Sequence, residues 1–109
     1  MPIANCVIIK GCMKRSGNLI ELWAQEAGVS SEHMSVNIIA SDEQLGNKYK
    51  IMANLALPTL WSTSDISSIQ VGLAKALSKH FIVEINEVHV ITNIVASGMV
   101  VESGQEIKW

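Results

Sequence analysis

The chain has few residues of the kinds that crosslink a protein, bind metal ions or contact nucleic acids. Its 109 residues include two cysteines, three histidines and eight lysines or arginines, and the net charge is −2. Scattered basic residues form no patch for nucleic acid, and no cysteines and histidines have zinc-site spacing. Cys6 and Cys12, if both lie near one strand, are about 20 Å apart, too far for a disulfide. We therefore expect free thiols, a cytoplasmic location, and no metal or other cofactor.

Long apolar runs are also missing, and no basic segment precedes the first apolar stretch. We therefore expect no membrane span and no signal peptide. Hydrophobic residues nevertheless make up 49% of the chain, and the mean hydropathy is +0.30. A domain of this length hides only about two-thirds of its surface by itself. Either the core is simply rich in apolar residues, or apolar surface is buried between subunits.

The stretch from Met1 to Gly11 predicts the first strand. Apolar residues occupy both its odd and its even positions, and Lys10 and Gly11 end it. Such a pattern is typical of a strand that is covered on both faces, as in parallel pairing.

Pro2, near the start of this stretch, has two interpretations. In the first it begins a strand at a position where no ladder hydrogen bond is lost. In the second, removal of Met1 leaves a free secondary amine whose pKa burial lowers from the ordinary α-amino value of about 8. A neutral amine near pH 7 can act as a general base. If Met1 stays attached, the Pro2 nitrogen is an amide and cannot act as a base.

The first third of the chain predicts a β-α-β unit. Asn18 with Glu21 three residues later is a capping signature for a helix, and Gly28 is its stop signal. A second strand is predicted over residues 34–40.

The pattern then repeats. Strands are predicted over residues 52–61 and 86–95, on either side of a longer helix that follows the capping cluster 62–65. The run Val36-Asn37-Ile38-Ile39 matches Val88-His89-Val90-Ile91 at a fixed offset.

We therefore predict an α+β fold in which two β-α-β units form a four-stranded sheet with two helices on one face. The chain would be a single domain, residues 1–109, with repeats over about 1–40 and 52–95. A terminal hairpin is predicted over residues 99–109, around a Ser-Gly turn. Because a lone hairpin is marginally stable, we expect it to pack on a neighbouring subunit, and the second sheet face to be covered by another subunit.

These motifs resemble the tautomerase superfamily. The opening from Pro2-Ile3-Ala4-Asn5 to Lys10-Gly11 resembles that of 4-oxalocrotonate tautomerase (4-OT), and residues 88–92 with 96–98 resemble its second strand and glycine-containing end. The length and the duplication are similar to the longer members, which include macrophage migration inhibitory factor (MIF). Leu60-Trp61 and Glu102-Ser103-Gly104 resemble an uncharacterised tautomerase-like family.

The resemblance implies a homotrimer and an amino-terminal proline, here Pro2, as catalytic base. It implies proton transfer between carbon and oxygen of a small 2-oxo acid, whose carboxylate is bound by basic residues. The arginine expected after the first strand is Cys12 here, the arginine expected on the second strand of each unit is Asn37 or His89, and Val29 replaces an expected lysine. So few fixed cations favour a substrate with one carboxylate over a dicarboxylate.

Two hypotheses follow. In the first, the protein is an isomerase that uses Pro2 for keto–enol exchange, with candidate substrate-binding residues Arg15, Lys14, His89, Lys48 and Tyr49. In the second, it is a trimeric scaffold or small-ligand-binding protein without catalysis. His89 is then an interface histidine, and Lys48 and Tyr49 belong to a solvated turn. A hydratase related to the dehalogenases would also need a carboxylate near Pro2, and the sequence alone places none there.

Overall fold

A computed structural model describes residues 2–12 and 14–109. The prediction about Met1 concerns a residue outside this range. The two β-α-β units are followed by a hairpin, and a single 3-10 turn, Ile85–Glu87, precedes the fourth strand. The elements are β1 (Ile3–Ile9), α1 (Leu19–Ala27), β2 (Ser35–Ser41), β3 (Ile51–Pro58), α2 (Thr63–Phe81), β4 (Val88–Val95), β5 (Val100–Glu102) and β6 (Gln105–Ile107).

The four long strands form one sheet in the order β2-β1-β3-β4. Each outer strand is parallel to the inner strand of its own unit, whereas β1 and β3 pair antiparallel at the centre. Both helices cover the same face of this sheet. The predicted fold class, with duplicated units, one helical layer and a short terminal hairpin, is confirmed.

Capping side chains set the starts of both helices. The Asn18 side chain accepts a hydrogen bond from the Glu21 N–H, and the Ser62 hydroxyl accepts one from the Asp65 N–H. These bonds satisfy backbone donors that the first helical turn leaves free. Gly28 ends α1 in the left-handed conformation, at φ 70°, which glycine adopts at little cost.

The end of β3 and the start of β4 differ from the predictions by more than one residue. β3 ends at Pro58 instead of continuing to Trp61, because the chain must turn before Ser62 can cap α2. A proline at the last position of a strand interrupts the ladder least. The segment predicted to begin the fourth strand forms the 3-10 turn instead, so β4 begins at Val88.

The core lies between the helices and the sheet, and Trp23 is its largest side chain. Trp23 is 0% exposed, and its indole N–H donates to the Ile69 carbonyl of α2 at 3.0 Å. This bond satisfies the one polar atom of the buried indole and ties α1 to α2. In the described parts of the chain, neither helix is both long enough and apolar enough to span a bilayer.

Gly72 marks the closest approach of the helices. A Cβ added there would lie 2.8 Å from the Ala27 nitrogen and 3.0 Å from the Ala27 Cα. Because these are backbone atoms of α1, the helices would have to separate.

We expect Gly72→Ala to lower the free energy of unfolding by about 1–2 kcal/mol, because overpacking costs about 1–3 kcal/mol and alanine returns up to about 1 kcal/mol of helix propensity. Urea unfolding measures the change. Ser68→Ala, an exposed position on the same helix, is the control and should be neutral or slightly stabilising. A Gly72→Ala protein as stable as this control would contradict the close packing.

Candidate functional site

Pro2 is buried directly before β1, and its carbonyl accepts a hydrogen bond of 3.0 Å from the Ser35 N–H at the start of β2. A cavity of about 270 Å³ lies beside it, because two of the lining residues are Ile3, its chain neighbour, and Ser35, its hydrogen-bond partner. Pro2 itself does not line this cavity. The complete lining is Ile3, His33, Ser35, Val100, Val101 and Glu102.

The terminal hairpin forms one wall of this cavity through β5. The Trp109 indole donates a hydrogen bond to the Thr59 hydroxyl at 2.8 Å, and the Trp109 N–H donates to the Ser97 hydroxyl at 2.8 Å. Gly98 pairs through its N–H with the Ile107 carbonyl. These bonds hold the hairpin over the end of β3 of the same chain. Its contact with a neighbouring subunit stays a prediction.

His33 and Glu102 are the ionisable side chains of this lining, and the sequence did not reveal either as a site residue. His33 is exposed, in the turn before β2. Glu102 reaches the Pro2 end because β4 ends there and the hairpin follows at once. The strand order of the structure places it there, since β4 is parallel to β3 and β3 is antiparallel to β1, so β4 ends at the end of the sheet where β1 begins.

The other predicted site residues lie at the opposite end of the sheet. Lys14 and Arg15 follow the end of β1, Lys48 and Tyr49 precede the start of β3, and His89 is near the start of β4. Because the seven residues of β1 separate the two ends, they are about 20 Å apart. Within one copy, Pro2 therefore meets none of the five.

His89 and Tyr49 form a stacked pair at this far end. Their ring centroids are 4.7 Å apart, with 26° between the planes. The side chain of Gln44 fixes the Tyr49 backbone, accepting from its N–H at 2.6 Å and donating to its carbonyl at 3.0 Å. Asn47 donates to the Tyr49 hydroxyl at 3.1 Å. The pair is thus pre-positioned on the helix-free face.

The basic side chains near this end differ in how strongly they already interact with other side chains. The Arg15 guanidinium lies 5.3 Å from the centre of the Phe81 ring. Lys50 pairs with Glu87 at 2.8 Å, and this hydrogen bond and charge raise the pKa of Lys50. Lys48 is exposed and lines a separate cavity that also contains Asp42 and Glu43. A ligand carboxylate would compete with these partners, which weakens binding of a dicarboxylate.

Neither the cysteines nor any acidic cluster in the described residues forms a metal site. Residues 2–12 and 14–109 contain no group of three or more histidine, cysteine, aspartate or glutamate side chains placed to bind an ion. Cys6 and Cys12 are both free thiols.

Several solved structures have a similar fold. The chain is similar to a fused 4-OT described as a symmetric trimer, at 12% identity, a TM-score of 0.73, and coverage of 96% of this chain and 94% of that one. It is similar to N1, of the cis-3-chloroacrylic acid dehalogenase family, at 9% identity and TM-score 0.72, covering 96% and 82%. It is also similar to MIF from Oncomelania hupensis, at 9% identity and TM-score 0.70, covering 98% and 82%.

The chain therefore shares its fold with the fused 4-OT, with a protein of the cis-3-chloroacrylic acid dehalogenase family and with MIF. Identities of 9–12% show the fold and leave the chemistry to be argued from this chain's own residues. No family model and no curated protein matches the sequence.

The two thiols should differ in reactivity. Burial raises the pKa of Cys6 to about 12, so at pH 8 almost none of it is the reactive thiolate. Cys12 is only half-buried. We expect a disulfide-exchange reagent to titrate one thiol per native chain at pH 8 and two in urea. Rapid reaction of both in the native protein would contradict the burial of Cys6.

Gln44→Ala should loosen the aromatic pair. Without the two hydrogen bonds to its backbone, Tyr49 no longer stacks steadily on His89, and the His89 ring protons lose part of their upfield ring-current shift in NMR spectra. Tyr49→Leu gives the His89 chemical shifts expected when the stacking is lost completely. Gln25→Ala, at an exposed position of α1, is the matched control. Identical His89 shifts in the Gln44→Ala and wild-type proteins would show that the Gln44 hydrogen bonds are not needed for the stacking.

Proposed function

We propose that the protein is a tautomerase-like isomerase of a small 2-oxo acid with one carboxylate, in which Pro2, freed of Met1, is the general base. The observation that carries this proposal is the cavity beside a buried proline at the start of β1. Its volume of about 270 Å³ lies just below the range of roughly 300–1,000 Å³ that drug-sized ligands occupy. A small acid therefore fits the space better than a large cofactor.

The reaction needs only one proton to move. In the ketonising direction, the neutral Pro2 nitrogen accepts the proton of the enol hydroxyl, and the electrons of the carbon–carbon double bond then take that proton at C3. No atom is gained or lost. Burial favours the neutral amine, because removing a charged group from water is costly. General-base catalysis of this kind contributes about 10²–10⁴-fold to the rate.

The carboxylate of the substrate needs a positive or hydrogen-bonding group. His33 and Ser35 line the cavity within one copy, and a second copy of the chain can supply a further group. The candidate cations are about 20 Å from Pro2 within one copy. His89 is the best placed of them, because it lies on the helix-free face of the sheet and is held there by Tyr49. The proposal therefore includes a homotrimer, working in the cytoplasm, whose sites lie at subunit boundaries.

Hydration is the second candidate reaction, and the position of Glu102 favours it. A carboxylate that lines the cavity beside Pro2 can take a proton from water while the oxygen adds to C3 of an unsaturated acid, and protonated Pro2 would give the proton that C2 needs. With 3-chloroacrylate, addition of water and loss of HCl would give 3-oxopropanoate. Chloride release that Glu102→Gln abolishes would favour this reaction over keto–enol exchange.

Protein lacking Met1 should ketonise phenylenolpyruvate, and Pro2→Ala should lower kcat/KM at least 100-fold, because the base is lost. The measurement is the decay of enol absorbance, with protein that retains Met1 as a second inactive form. Ser68→Ala, at an exposed position of α2, is the control and should keep the wild-type rate. Equal rates for the wild-type and Pro2→Ala proteins would dismiss this catalysis and favour the non-catalytic scaffold.

A further inference from the structure

The helix-free face of the sheet has few ionisable side chains, and His89 of β4 is one of them. None of the four long strands contains aspartate, glutamate, lysine or arginine, although 17% of the chain is charged. Apolar side chains on this face, such as Ile39 and Ile91, are about half exposed, at 49% and 48%. A large face with so few ionisable groups is typical of an interface, and charged residues are depleted at interface cores.

The edges of the sheet support the same conclusion. In the chain as described, β2 and β4 are the outer strands, each pairing on one side only. Proteins that remain monomeric usually protect such edges with lysine or proline. The outer strand β2 has neither, and β4 has neither.

A row of asparagines crosses the middle of this face. Asn5 of β1 is opposite Asn37 of β2 on one side and Asn54 of β3 on the other. The Asn37 amide donates to the Asn5 carbonyl oxygen at 2.8 Å. Asparagine is depleted in strands, so three in register at the centre of a sheet lower its stability. Their presence there indicates a function.

The rows beside it are partly apolar. On one side Val7 is opposite Ile39 and Met52, and His89 ends that row. On the other side Ile3 is opposite Ala56 and Ser35, and Asn93 ends the row. If this face were covered out of register, the amides would meet aliphatic side chains and lose their hydrogen bonds to water. Each buried polar group left without a partner costs about 1–3 kcal/mol.

The chemistry of the row indicates its partner. Each asparagine offers both donors and acceptors and no net charge, so the surface that matches the row best is the same row on another copy. Asn37 and Asn5 bond to each other. Among residues 2–12 and 14–109, no side chain hydrogen-bonds to the Asn54 amide. That amide remains available to an identical neighbour.

We propose that the row Asn37–Asn5–Asn54 is the layer that fixes the register and the number of copies in the assembly, with the same row of other copies of this chain as its partner. It acts as a single buried asparagine does in a coiled coil, giving up stability to exclude other arrangements. This inference rests on the homotrimer of the proposed function and adds the residues that specify it.

The first test replaces the polar row by an apolar one. We expect the wild-type protein to give one species of three chains by native mass spectrometry, and Asn5→Val/Asn54→Val to give a mixture in which at least a tenth of the mass has another stoichiometry. Asn93→Val, on the same face but opposite Ala56 outside the row, is the control and should keep one species. A uniform trimer for the double variant would overturn this inference alone.

The second test covers the case in which the double variant does not fold. Asn5→Asp adds one negative charge per copy to the layer, and we expect it to dissociate the trimer at pH 7 and to permit reassembly near pH 4, where the carboxyl group is protonated. A trimer of Asn5→Asp that is intact at pH 7 would place the row outside the contact and overturn the inference. A wild-type protein that is monomeric would overturn the trimer itself, and the inference with it.

Discussion

The antiparallel pairing of β1 with β3 determines most of what this protein can do. Because the two inner strands run in opposite directions, the two β-α-β units begin at opposite ends of one sheet. Pro2 and its cavity are therefore at one end, and the stacked Tyr49 and His89 are at the other. In a single copy, the candidate base and the stacked pair are therefore too far apart to act on one small substrate.

The same pairing brings the asparagines into one row. Asn5 and Asn54 face each other only because β1 and β3 pair in this register, and a slip of one residue would turn one of them toward the core. The largely uncharged face that results has to be covered, and copies of the chain can cover it while joining opposite ends of neighbouring sheets. Assembly and chemistry thus depend on one arrangement of strands.

Local signals in the sequence were sufficient for the elements and the fold class. Capping by Asn18 and Ser62 and the turn at Gly28 depend on residues a few positions apart, so they were predictable. The end of β3 at Pro58 was not, because it depends on how soon α2 must begin. The cavity beside Pro2 also escaped prediction, since His33 and Glu102 meet there only through the strand order and the anchoring of the hairpin by Trp109. The roles of Arg15, Lys14 and Lys48 stay predictions.

The most direct test of a site shared between copies is complementation in mixed assemblies. Pro2→Ala and His89→Ala proteins, each of low activity, would be unfolded, mixed in equal amounts and refolded together. If each site takes Pro2 from one copy and His89 from the next, random mixing restores about one quarter of the wild-type rate per site, because that fraction of boundaries joins two intact residues. A mixture no more active than the separate variants would contradict the account.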